Sequence, residues 1–274
     1  MRKLLSHRHP SLYWLAVRYH RLKRHLRWLG LRGKMAHRRK ERLPCLVKRH
    51  SSRLIKHLGQ SDLQLQHNKV VNLRLITPLI NEVTLAPGET FSFCQLVGKP
   101  TRKRGFLEGM ELSMGHARSG IGGGICQMAN LLHWLVLHSP LTVIERSAHS
   151  FDPFPDQNRS IPFGTGCAVF YNYVNLCFRN DTGHTFQFFI WMTETELWGE
   201  LRSGEEIEET YKIFERHHRY LRQAGTFYRA NEIWRKVMTR RGGRHLRDEK
   251  IKENFVRVMY EPPEWEEAPS GGIR

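Results

Sequence analysis

The sequence predicts an α+β fold: a mixed or antiparallel sheet with a helix that springs from a glycine loop, preceded by a basic helical N-terminal arm. Three observations carry that prediction. Leu12, Leu15, Tyr19, Leu22, Leu26 and Leu29 fall at alternating intervals of three and four, which draws one apolar stripe down a helix. The stretch GIGGGICQMANLLHWL at 120–135 sets four glycines in five residues before a cysteine and an apolar run. Strand-like segments follow that run, namely LTVIER, CAVFYNY, VNLCFRN, TFQFFIWM and ELWGELR, so a helix followed by consecutive strands is the expected order.

The arm is assigned to residues 1–66. Of the 44 Lys and Arg in this 274-residue chain, 18 lie in residues 1–56 against a single acid, Glu41, whereas residues 57–198 hold 10 basic and 11 acidic residues. Basicity is therefore a property of the arm. Arg18, Arg21, Lys23, Arg24 and Arg27 occupy the faces beside the stripe, which suits an anionic membrane surface, a nucleic-acid backbone, or a stripe folded onto the protein itself. Nucleic acid ranks last of the three. Residues 32–42 are expected to form a solvated link and about Ser51 to Leu65 a second helix. No uninterrupted apolar core precedes Arg18 and no later window approaches a membrane span, so the expected location is cytoplasmic and peripheral on the inner membrane face. Five cysteines, odd in number and without C-x-x-C spacing, point to free thiols.

A compact domain is expected over 67–202. VVNLRLITPLI has helical spacing, and NEVTLAPGETFSF places a Pro-Gly turn ahead of a strand. ELSMGHARS reads as a poor strand, Ser139-Pro140 ends the helix that starts near Cys126, and Asn180 to Gly183 reads as a hairpin turn. Residues 203–274 alternate charged and apolar side chains and are assigned as a polar, β-rich extension, with a helix left open for its first third.

The loop and its cysteine draw the chemical reading. Glycines leave amide N–H groups uncovered, and ahead of a helix such a loop can bind phosphate or an oxyanion. A dinucleotide fingerprint is disfavoured because Ile125 stands at the third glycine position. A helix start favours thiolate at Cys126, and His149, sharing one face with Glu145 and Ser147 if the strand continues, is the candidate base for thiol acyl transfer. The opposing reading is a small buried cysteine that packs a helix onto a sheet. Cys126, His133 and His138 follow no zinc spacing, and neither metal nor cofactor is expected.

PGETFSFCQLVGKPTRKRGF, GGGICQMANLLHWLVL, ERSAHSFDPFP and GTGCAVFYNYVNLCFRNDT, in that order, resemble the VanW (vancomycin B-type resistance protein) family over roughly residues 67–200. The resemblance implies a role in glycopeptide resistance and cell-wall peptide metabolism. Some secreted multidomain relatives are linked to L,D-transpeptidation through the cysteine that matches Cys126. Carried over, Cys126 is the nucleophile, His149 the base, and Gly122, Gly123, Gly124 and Gln127 the oxyanion and positioning shell. Arg146, with Glu145 beside it, holds a substrate carboxylate or forms a structural ion pair. Where many members have Asp-Ala, this chain has Cys167-Ala168, which leaves Asp152 or Asp156 as substitutes for an orienting carboxylate. Two functions follow: a cysteine-dependent acyl transferase or amidohydrolase acting on peptidoglycan precursor peptides, or a non-catalytic accessory protein that binds such precursors at the inner membrane surface.

Overall fold

The computed structural model describes residues 9–31, 33–38, 41–55, 63–113, 116–149, 151–153, 155–156 and 161–268. It is a mixed α+β structure. In chain order, helix α1 (Pro10–Gly30) precedes strands β1 (His37–Arg38) and β2 (Cys45–Arg53), helix α2 (Leu63–Ile80), strands β3 (Val83–Leu85) and β4 (Thr90–Ser92), and the short helix α3 (Phe93–Val97). The hairpin of β5 (Glu108–Ser113) and β6 (His116–Ile121) leads through the glycine loop into α4 (Cys126–Leu137), then β7 (Thr142–Glu145) and β8 (Phe151–Asp152). Strands β9 (Cys177–Arg179), β10 (Phe186–Met192) and β11 (Glu196–Ser203) are followed by three long strands, β12 (Glu209–Gln223), β13 (Thr226–Thr239) and β14 (His245–Val258), and a short β15 (Glu266–Glu267).

Helix α4 is the central element, with ten of its twelve residues buried. Met128, Ala129, Leu131, Leu132, Leu135 and Val136 join the main core with Phe186, Phe188 and Leu201 of the sheet ordered β1–β3–β10–β11–β2. Gly199 on β11 permits the close approach, since a Cβ there would lie 3.0 Å from both Leu131 and Leu135. Trp134 and Leu137 pack instead on Ile213 and Ile233 of the second large sheet, ordered β15–β12–β13–β14–β8. A helix hydrophobic on nearly every side belongs between two layers, and here both layers are sheets.

Several local expectations are corrected. Ser51 to Leu65 is not one helix: residues 45–53 are β2, paired along β11, and helix resumes only at Leu63, with 56–62 outside the described residues. Strand β2 lies at the edge of the sheet ordered β1–β3–β10–β11–β2. Within the charged link, residues 34 and 36 hydrogen-bond Thr90 and Ala36 is buried, so the described part of that segment is docked on the domain. Of ELSMGHARS, residues 111–113 and 116–119 do form strand, β5 and β6 running antiparallel with Gly109 opposite Gly120. CAVFYNY is two isolated bridges and a turn, with Asn172 at φ 56°. Residues 180–183 turn, yet join no hairpin: β9 pairs with β4 and β7, while β10 pairs with β3 and β11. Beyond 203 the first third is strand β12, not helix.

The long strands are amphipathic only weakly, and cross-strand ion pairs line their exposed positions, such as Arg216 with Asp248 and Arg247 with Glu209. Exposed pairs of this kind contribute little each. What fixes the sheet to the rest is buried: Arg229, 3% exposed, pairs with Asp152 at 3.4 Å and Asp156 at 2.6 Å, while β8 adds to β14 in parallel.

Candidate functional site

The glycine loop is tight rather than open. A Cβ on Gly123 would fall 2.1 Å from the Gly109 carbonyl oxygen, and one on Gly109 2.3 Å from that of Gly123, so two backbones cross in contact there. Gly124, at φ 88°, passes against the Lys69 side-chain stem. The Gly122 amide donates to Leu107 O at 2.9 Å and that of Gly123 to Gly120 O at 2.9 Å. Asn72 completes the stitching, its Nδ2 donating to Leu107 O and Gly123 O and its Oδ1 accepting from Leu107 N. Two of the three amides expected to face an oxyanion are therefore satisfied within the fold.

Cys126 occupies the first turn of α4, with Sγ 3.9 Å from Val169 O. Burial pushes its thiol above the usual range, and the charge of Glu111 adds to that rise. The helix terminus does not overcome the loss of solvation, so the thiol, not the thiolate, is the favoured form. His149 is held below its ordinary pKa by burial and by Arg146, which leaves a neutral ring. Strand β7 ends at Glu145, with a bulge between Val143 and Glu145, so the expected continuous face through Ser147 to His149 does not form. Among the described residues no hydrogen bond joins the His149 ring to the Cys126 thiol. Gln127 Nε2 donates to Ser52 Oγ and Arg53 O, each at 2.9 Å, tying α4 to β2.

The remaining expected residues are engaged elsewhere. Glu145 forms a two-pronged ion pair with Arg24 of α1. The Arg146 guanidinium donates to the carbonyls of Gly164 and Gly166. Asp152 and Asp156 meet Arg229, not the thiol. His133 Nδ1 donates to Thr165 O at 2.7 Å and His138 Nδ1 to Trp134 O at 2.9 Å, packing and capping roles at α4. All five cysteines are free. Among the described residues no group of three or more His, Cys, Asp or Glu side chains is placed to hold a metal, and no helix is long and apolar enough to cross a membrane.

A cavity of about 480 Å³ lies elsewhere, at the seam where the C-terminal end of α4 and strand β7 face β13 and β14. Arg146, Arg235, Lys250 and Lys252 line it, with Glu145 on the same wall. Arg235 is paired with Glu249, and Lys250 with Glu232 and Glu253. Lys252 has no hydrogen bond or ion pair among the described residues. Burial, with Arg146 adding to it, pushes its amine down to about 8. The cavity thus holds a cation without a counter-charge bonded to it among the described residues. Arg146 was legible as a candidate from the sequence; Lys252, one of two lysines in a charged strand, carried no signal.

The site thus sits in an α+β domain whose buried helix is clasped between two sheets, with a cavity lined by cations at their seam. The chain belongs to the VanW family. The family model for VanW like protein matches residues 68–202. The vancomycin B-type resistance protein VanW of Enterococcus faecalis is 31% identical over 222 residues, which cover 81% of this chain and 81% of that protein. The uncharacterized protein YoaR of Bacillus subtilis is 34% identical over 92 residues, 34% of this chain and 28% of that protein. No solved structure matches.

Proposed function

We propose that this chain takes part in glycopeptide resistance as a binding protein for cell-wall precursor peptides, holding a peptide carboxylate in the cleft at the seam of α4, β7, β13 and β14. The role in resistance is carried by the relative in E. faecalis, whose name states it. The single observation that carries the binding mode is Lys252, half-buried and unpaired among the described residues, beside Arg146 in that cavity. An uncompensated cation in a partly desolvated cleft is stabilised by an anion of the right size, and stem peptides end in a carboxylate. Acyl transfer by Cys126 is less well supported, because the thiol is protonated, two loop amides are occupied and no base is bonded to it.

The test is calorimetric titration of wild type, Lys252→Met and Cys126→Ala with tetrapeptide and pentapeptide stem fragments. Wild type binds, Lys252→Met binds about tenfold more weakly as one charge-assisted bond is lost, and Cys126→Ala matches wild type. Affinity should also fall as pH rises through about 8, where the Lys252 amine loses its proton. The same depressed pKa means that the charged amine opposes folding below about 8, an effect relieved as pH rises toward the unfolded value, so Lys252→Met should unfold no more easily than wild type at neutral pH. A thioester-sized mass gain on wild type, absent in Cys126→Ala, would replace this reading with acyl transfer.

A further inference from the structure

Helix α1 docks on the domain in the opposite sense to an ordinary amphipathic helix. Its inward row is half-buried Tyr13, Val17, Arg21, Arg24 and Trp28. The helix is held by the Arg24–Glu145 ion pair and Arg21 over the Tyr171 ring within that row, and beside it by Asn172 Nδ2 donating to His25 Nε2 at 3.1 Å and His20 edge-on to Tyr173. Inward and outward rows lie close to 180° apart on a helix turning ~100° per residue. The outward row is the leucine stripe: Leu15 is 55% exposed, Tyr19 61%, Leu22 60% and Leu26 60%, with Leu12 and Leu29 exposed beside them. Folding has left the leucine face in water and half-buried a face that carries Arg21 and Arg24.

We propose that this stripe is the docking surface for an anionic lipid bilayer, with the domain suspended from the helix's opposite face. Charge placement selects the occupant. Exposed Arg18 flanks the stripe on one side, and exposed Lys23 and Arg27 flank it on the other. That is the arrangement of an interfacial helix whose leucines enter the acyl boundary while its cations stay at headgroup level. A second copy of the chain would bring together two arms, each with 18 basic residues against one acid over residues 1–56, which repel. Nucleic acid fits the cations but leaves the leucines unsatisfied, since a phosphate backbone has nothing apolar to cover them. The Arg24–Glu145 pair gives the docking a fixed orientation, because Glu145 also stands in the wall of the cleft. The cleft would therefore be held at a set height and angle over the lipid surface.

The experiment is co-sedimentation of the full chain with vesicles of phosphatidylcholine alone and with about 30% phosphatidylglycerol. The wild type is compared with Leu22→Ser/Leu26→Ser, which removes apolar surface without changing charge, and with Lys23→Gln/Arg27→Gln. Wild type should bind the anionic vesicles at least about tenfold more strongly than the neutral ones. The serine variant should lose about tenfold in affinity, with an unchanged thermal midpoint because both leucines are exposed. The glutamine variant should weaken binding and reduce its dependence on salt. Unchanged binding of the serine variant would overturn the proposal, since attraction by net charge alone would then account for the association. So would a dimer, seen by sedimentation velocity, that the serine variant dissociates while vesicles fail to capture wild type. Because peptide affinity is read separately in solution, failure here leaves the cleft untouched, and failure of the cleft leaves the stripe untouched.

Discussion

The glycine loop with Cys126 and the cationic seam with Lys252 make opposite use of polar groups. In the loop, backbone donors and acceptors are matched against Leu107, Gly120 and Asn72, the glycines fill the space where a side chain would stand, and the thiol is covered and protonated. At the seam a cation is left half-buried, without a partner among the described residues, facing a cavity. The difference teaches that a conspicuous sequence pattern and a free chemical capacity are separate things. Backbone permissiveness is consumed by packing wherever two chains cross, whereas ligand affinity accumulates where the fold leaves a group unsatisfied.

The most severe break of that comparison is Gly123→Ala. A methyl group 2.1 Å from the Gly109 carbonyl oxygen cannot be accommodated without separating two backbones under the start of α4. We expect a loss above about 4 kcal/mol, or failure to fold, in chemical denaturation. Gly183→Ala, with open space around it, should change stability by less than about 0.5 kcal/mol. If Gly123→Ala is mild instead, the loop is open in solution and its amides are available to an anion after all.

A smaller effect is expected at the support of the seam. Arg229→Met removes the guanidinium from buried Asp152 and cuts the ion pairs that join β13 to Asp152 and Asp156, although Tyr260 still donates to Asp152 at 3.2 Å. Breaking a buried pair on one side costs about 3 kcal/mol. Denaturant unfolding should show that loss, and stem-peptide affinity should drop with it, because β13 and β14 form one wall of the cleft. Loss of stability with full retention of binding would place the ligand site on the core domain alone.

How much of this was legible follows the range of the interactions involved. Periodicity placed α1, the helix after the glycine loop, and strands β10 and β11, because those elements are written in local side-chain spacing. It misassigned 51–53 as helix, where a partner strand more than 140 residues away decides the conformation. At the site, Cys126 and Arg146 could be picked from their neighbours in sequence. The burial that protonates one and the strand β14 that brings Lys252 to the other are tertiary facts. The stripe of α1 was read correctly as a stripe, yet spacing alone does not say which face a helix turns inward. Here Glu145, far along the chain, settled it by claiming Arg24.

The gentlest prediction is the one that separates the two regions most cleanly. Cys126→Ala removes a single sulfur from a site where, among the described residues, Sγ makes one long hydrogen bond, to Val169 O at 3.9 Å. On a binding-protein reading, stem-peptide affinity should stay within about twofold of wild type, since the mutated atom touches nothing in the seam. In the native wild type, a small alkylating reagent should label Cys126 at neutral pH about tenfold more slowly than a free thiol, because labelling follows thiolate population and access and both are reduced by burial. In guanidinium the rate should rise to that of an unprotected thiol. Fast labelling of the folded protein, together with lost affinity in Cys126→Ala, would join the loop to the seam as one site and return the thiol to the centre of the chemistry.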